Sequence, residues 1–132
     1  MKTLKNKIDI VIEKTKTGFS AYSEDHAIFT TARTIPELIG NTVEAATLFF
    51  EDEKKTITPE NLNFIIDFKQ FFQYYKVINA KFLAKKIGMN ETLLSQYVQG
   101  RKKPSDHQTN KILEGIHQIG RELSEINLIH RI

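Results

Sequence analysis

Residues 80–105 read AKFLAKKIGMNETLLSQYVQGRKKPS, and this stretch sets the expected architecture of the C-terminal half. Leu83 and Ala84 belong to a short apolar-faced segment that Gly88 closes. Asn90 then opens a second segment carrying Leu93, Leu94, Tyr97 and Val98, which Gly100 closes before Arg101-Lys102-Lys103-Pro104. Asparagine accepts a hydrogen bond from the free N–H groups at a helix start. Glycine takes the left-handed conformation that ends a helix. The two signals together predict two short helices joined by a tight turn.

Two helices joined in this way form the pattern of a repressor-type helix-turn-helix, whose second helix enters the DNA major groove with its first two turns. With Asn90 as cap, Glu91, Thr92, Ser95 and Gln96 are expected to face outward, and Leu94 and Tyr97 to face the partner helix. Gln96 is the strongest candidate for base reading, because its amide can make two hydrogen bonds to adenine. Thr92 suits a thymine methyl or a phosphate. Glu91 can accept from a cytosine amino group, or simply act as a favourable charge at a helix N-terminus. Lys81, Lys85, Arg101, Lys102 and Lys103, with the capping Asn79 and Asn90, are expected to hold phosphates, contacts that position without specifying. Lys85 and Lys86 read equally well as solvated charges. One subunit buries little area on DNA, so a dimer reading two half-sites is expected.

Charge distribution points the same way. Residues 1–57 carry 8 Lys/Arg and 9 Asp/Glu, whereas residues 76–111 carry 8 and 2, a local net +6 within a chain of net +3. Such an excess attracts phosphate. The 132 residues suffice for one domain or two small ones, and 40% hydrophobic content supports a packed core. Cysteine is absent, which rules out disulfides and thiolate metal sites and fits a reducing compartment. No apolar run reaches membrane-spanning length, and charges interrupt the N-terminal MKTLKNKIDIVIEK, so a cytoplasmic location is expected.

The first half predicts strands and one helix. Ile8, Ile10 and Ile12 alternate with Asp9, Val11 and Glu13, the pattern of a half-buried strand. Lys14 to Gly18 and Ser23 to His26 are turns, with short strands at Phe19–Ala21 and Ile28–Thr31. Thr34 and Glu37 have capping-box spacing, and Pro36 is tolerated in a first turn. The following helix carries Ile39, Val43, Ala46 and Phe50 on one face. After the charged 51–55 segment, Leu62, Phe64, Ile66 and Phe68 alternate as a further strand. The expected class is α+β: a small antiparallel-rich sheet with one helix in residues 1–68, then an all-α helix-turn-helix domain in residues 69–132.

The boundary falls in FKQFFQYYK, residues 68–76. Its aromatics Phe71, Phe72, Tyr74 and Tyr75 could stack on nucleic-acid bases, but are better read as the core of a first helix beneath the two reading helices. The last helix is expected over 105–129, capped by Ser105. Ile112, Ile116, Ile119, Leu123 and Ile126 fall at heptad-like spacing on it. That stripe covers the core of its own chain, forms a seam between two chains, or does each at a different end.

Catalytic constellations are weak. His26, His107, His117 and His130 show no metal-ligand spacing. Asp9, Glu13, Glu24 and Asp25 would be the carboxylates of a metal-dependent nuclease, but Asp9 and Glu13 alternate with core isoleucines and read as solvent-facing. Phosphate-loop and nucleophile-elbow motifs are absent, and Ser20, Asp25 and His26 have no reason to align as a triad. No enzyme activity, cofactor or metal is expected.

The order of elements resembles the HicB family of antitoxins. In the first half the resemblance rests on GFSAYSEDHAIFTTARTIPELIGNTVEAATLFFED (Gly18–Asp52), with a Gly-aromatic-x-Ala strand leading to a Thr-x-x-Glu-x-x-x-Asn helix. In the second it rests on FFQYY, LAKKIGMNETLLSQYVQG and the terminal helix with HQIGREL. The resemblance implies a shortened ribonuclease-H-like domain without catalytic carboxylates. That domain would bind a small HicA-like mRNA-cleaving toxin, and an Xre-like helix-turn-helix would bind the operator of its own operon as a homodimer or higher oligomer. Many family members end instead in a ribbon-helix-helix. Glu24, Asp25, Glu44 and Glu51 are the residues expected to meet a basic toxin, since they offer exposed acidic groups; each also reads as plain solvated charge. The competing expectation is a stand-alone repressor whose N-terminal domain senses a ligand or dimerises.

Overall fold

The computed structural model describes residues 2–3 and 7–127 and is of the α+β class. The chain divides into two compact units, Met1–Tyr74 and Tyr75–Ile132.

The first unit contains β1 (Lys2–Thr3), β2 (Ile8–Lys14), β3 (Phe19–Tyr22), β4 (Phe29–Ala32), α1 (Ile35–Phe49), β5 (Lys55–Thr56), β6 (Leu62–Ile66) and α2 (Phe68–Tyr74). Four strands form a mixed sheet in the order β4-β3-β2-β6, and β1 pairs separately with β5 in parallel. The predicted strands are present, and the four-stranded sheet has two antiparallel pairings and one parallel one: β6 runs parallel to β2, with Ile8 opposite Leu62 and Ile12 opposite Ile66. Ile8, Ile10 and Ile12 point to the core while Asp9 is exposed, as period-2 alternation requires.

The Glu37 N–H donates to Thr34 Oγ1 at 3.3 Å at the start of α1, with Pro36 in its first turn. Its buried line is Leu38, Thr42, Ala46 and Phe50, whereas Ile39 and Val43 are only half-buried. The expected stripe is thus displaced by one residue in its first two turns. Thr42 tolerates full burial because its hydroxyl donates to the Leu38 carbonyl at 2.6 Å.

The aromatic segment departs furthest from expectation. It forms α2, which belongs to the sheet unit rather than to the helices that follow, so the boundary lies six residues beyond the expected 68/69 division. The reason is hydrogen bonding at the end of β2. There β6 stops, the Asp67 N–H donates to the Ile12 carbonyl, and the Gln70 side chain takes both the N–H (2.9 Å) and the carbonyl (2.6 Å) of Lys14. Phe68 and Phe72 are buried.

The second unit holds α3 (Ala80–Ile87), α4 (Glu91–Val98) and α5 (Asp106–Ser124). Leu83, Ala84, Met89, Leu94, Tyr97 and Ile112 are buried. The expected α5 stripe divides: Ile112 is buried, Ile116 and Ile119 are half-buried, and Leu123 and Ile126 are about two-thirds exposed. The helix stops at Ser124, so Ile126 lies past its end and residues 125–127 do not continue it as expected; residues 128 and 129, like His130, fall outside the described residues. Among the described residues no helix is long and apolar enough to cross a membrane.

Gly115 is where α5 touches α3. A Cβ there would overlap Ile87 Cγ2 and lie 3.1 Å from Leu83 Cδ1, whereas one at Gly120 would meet nothing within 4 Å. Gly115→Ala is therefore expected to destabilise the C-terminal unit by about 1–3 kcal/mol through overpacking. Gly120→Ala is expected to stabilise it by up to about 1 kcal/mol through helix propensity. Urea denaturation followed by circular dichroism reads both signs.

Candidate nucleic-acid interface

The three helices of the second unit start and stop by the same chemistry. Asn79, Asn90 and Ser105 each sit at an N-cap in extended backbone and accept from the N–H three residues on, at 3.2, 3.1 and 3.2 Å. Gly88 and Gly100 take φ of 67° and 74°. After α3 the Met89 N–H reaches back to the Ala84 carbonyl and the Gly88 N–H to that of Lys85. After α4 the Arg101 N–H reaches Gln96 and the Gly100 N–H reaches Tyr97. These paired bonds satisfy the last carbonyls of each helix and turn the chain sharply. Only Met89 separates Gly88 from the next cap, Asn90, so the α3–α4 turn has almost no slack.

Burial sorts the residues of α4 only partly as expected. Leu94 and Tyr97 are inside, Glu91 and Thr92 are exposed in the first turn, and Ser95 and Gln96 are half-buried. Gln99, which the sequence reading did not single out, donates through Nε2 to Ser95 Oγ at 3.3 Å. Asn79, Lys81, Lys85, Asn90, Arg101, Lys102 and Lys103 are all exposed. Of the adjacent pair Lys85-Lys86, the second has an acidic partner, Glu122 at 3.1 Å. Lys85 lies over the ring of Phe82, 5.4 Å from its centre, and Phe82 is itself 62% exposed. Lys111, also missed from sequence, brings Nζ to 3.5 Å from the Gly88 carbonyl. Its 23-residue separation from Gly88 leaves no local signal.

The second unit carries 10 Lys/Arg and 5 Asp/Glu, against 9 and 11 in the first. The net positive charge therefore belongs wholly to the helical unit, and the 101–103 run follows directly from the end of α4. This arrangement suits a polyanion, with a short polar helix start and exposed cationic side chains after the helix end.

The acidic residues expected to meet a protein partner lie in the first unit. Glu24 and Asp25 are exposed in the β3–β4 turn, where Ser23 Oγ accepts from the N–H groups of Asp25 and His26. The His26 ring rests on Phe49 and Phe50, with centroids 5.2 and 5.4 Å away. That contact brings the turn to the end of α1 that leads into the exposed Glu51. Glu44 is exposed farther back on the helix. Asp9 accepts from Asn63 Nδ2 at 2.9 Å. Among the described residues no group of three or more His, Asp or Glu side chains is placed to hold a metal ion.

Comparison of the chain with protein-family models, with curated proteins and with solved structures finds no match in any of the three.

Loss of the Asn90 cap is expected to cost about 1 kcal/mol on Asn90→Ala. Gly88→Ala, forced into the left-handed region, is expected to cost about 1–2 kcal/mol. Equilibrium unfolding measures both, and an unchanged midpoint for Gly88→Ala would contradict the turn geometry.

Proposed function

We propose that this protein is a HicB-type antitoxin that also represses its own operon. On this reading, the first unit is a shortened ribonuclease-H-like domain that binds and blocks a small HicA-like mRNA-cleaving toxin. The second is an Xre-like helix-turn-helix that binds operator DNA, with the chain acting as a homodimer or higher oligomer in the cytoplasm. It is a binding protein, not an enzyme. The observation that carries the reading is the α3–turn–α4 arrangement. Two eight-residue helices, locked by Gly88 and Asn90, leave Glu91 and Thr92 exposed at the start of the second helix, with Arg101, Lys102 and Lys103 at its end.

On this reading the residues take separate roles. Gln96 reads a base edge with help from Thr92, while Lys81, Lys85, Arg101, Lys102 and Lys103 neutralise phosphates, with Asn79 and Asn90 placed to add contacts from the helix caps. Ser95, tied to Gln99, backs Gln96. Half-buried Ile119 and exposed Leu123 and Ile126 supply the apolar end through which two chains associate, while Ile112 and Ile116 serve the core.

Gln96→Ala is expected to lose about 1–3 kcal/mol of discrimination between operator and random DNA. Lys102→Ala is expected to weaken binding to every sequence and to lower the salt slope by about one. Titration on both DNAs at several salt concentrations separates the two. Equal losses on operator and random DNA for Gln96→Ala would remove its assigned role.

Expression of the small open reading frame beside the gene is expected to arrest growth, and co-expression of this chain to restore it. Arrest without rescue would contradict the antitoxin reading. Absence of arrest would favour a stand-alone repressor.

A further inference from the structure

The register of the four-stranded sheet places a transverse row of apolar side chains on the face opposite α1. The face that α1 covers carries Ile8, Ile10, Ile12 and Ala21, which share one buried cluster with Leu38, Ala46 and Phe50. Paired residues project to the same side of a sheet, and neighbours along a strand to opposite sides. Ile65 pairs with Val11, Val11 with Tyr22, and Tyr22 with Phe29. These four therefore cross the face opposite α1 from one edge strand to the other, beside the buried Ser20. Ile65, Val11 and Tyr22 are half-buried, and Phe29 is 66% exposed on the edge strand β4. A phenylalanine so placed contributes little to the fold.

Carboxylates surround the row. Asp9 and Glu13 flank Val11 on the same face of β2, and the Asn63–Asp9 hydrogen bond marks their side. Asp67 and Glu24 complete the ring: burial raises the Tyr22 phenol above its usual value, and the negative charges of Glu13, Glu24 and Asp67 raise it further. The face is thus apolar across its middle and negative around it. Like charges disfavour a nucleic acid there, and equally a second copy presenting the same face. A cationic protein surface with an apolar centre complements it, with charge steering the encounter and the aromatic pair Tyr22 and Phe29 anchoring it.

We infer that this sheet face, reached from the exposed Phe29 at its edge, rather than the outer side of α1, is the docking surface for a small basic protein partner. The inference rests on the antitoxin reading and specifies where its partner binds.

The test uses the full-length chain and the purified product of the small open reading frame beside the gene, with affinity measured by calorimetry. Phe29→Ala and Asp9→Lys are each expected to weaken the complex by about tenfold or more. Glu44→Lys and Glu51→Lys, on and after α1, are expected to change it by less than about threefold. Phe29 and Asp9 are exposed, and unchanged melting and unchanged DNA affinity of their variants exclude a folding defect. Wild-type complex formation that is indifferent to Phe29→Ala and Asp9→Lys, or lost on Glu44→Lys and Glu51→Lys, overturns the surface and leaves the antitoxin reading intact. A shift in oligomeric state for Phe29→Ala with the complex intact also overturns it, in favour of a second copy. No complex with the wild-type chain contradicts the antitoxin reading itself and the surface with it.

Discussion

The second unit depends on the backbone of one residue. Gly88, at φ 67°, lets the Met89 N–H return to Ala84 and places Asn90 two residues later as the cap of α4. A side chain there strains the turn, which has only Met89 between Gly88 and the cap of α4. Met89 is buried beside these helices, and Lys111 closes over the Gly88 carbonyl. The close approach at Gly115 then seats α5 on Leu83 and Ile87. The outward face of α4 is set by this chain of constraints, since whatever Glu91, Thr92 and Gln96 contact is decided by where Leu94 and Tyr97 are held.

In the first unit the corresponding constraint is β2. It is bonded on both sides, antiparallel to β3 and parallel to β6. Its alternation divides the sheet into a face that α1 covers and a face with Val11 between two carboxylates. Where β6 ends, Gln70 supplies the missing hydrogen-bond partners of Lys14 and anchors α2 to this unit.

Local features were readable from residue type. The isoleucine alternation, the Thr34 cap, the Asn-Gly punctuation of α3 and α4, and the burial of Leu94 and Tyr97 all follow from side-chain chemistry within a few residues. What escaped depends on distant partners. The aromatics of α2 carry no mark of which unit they join, because the decision lies in bonds between Gln70 and Lys14, 56 residues away. The one-residue displacement of the α1 stripe reflects a threonine that satisfies its own hydroxyl within the helix, so its polarity misleads any apolar count. Lys86 is tied to Glu122 and Gly115 is packed on Ile87, and neither leaves a trace in local sequence. For the candidate site, the exposure of Glu91 and Thr92 was legible from the cap at Asn90, whereas the half-burial of Ser95 and Gln96 and the Gln99–Ser95 and Lys111–Gly88 contacts were not.

The two units carry opposite net charge, and this division matches the two jobs proposed for them. A basic helical unit suits phosphate, and an acidic sheet unit suits a cationic protein. The most direct measurement is a titration of 15N-labelled full-length chain with the duplex that lies upstream of its own gene, followed by amide chemical shifts. The account predicts the largest changes at residues 90–103, with lesser ones at Asn79, Lys81 and Lys85, and little change across β2, β3, β4 and β6. Changes centred on the sheet, or none at salt concentrations low enough to favour phosphate binding, would contradict it.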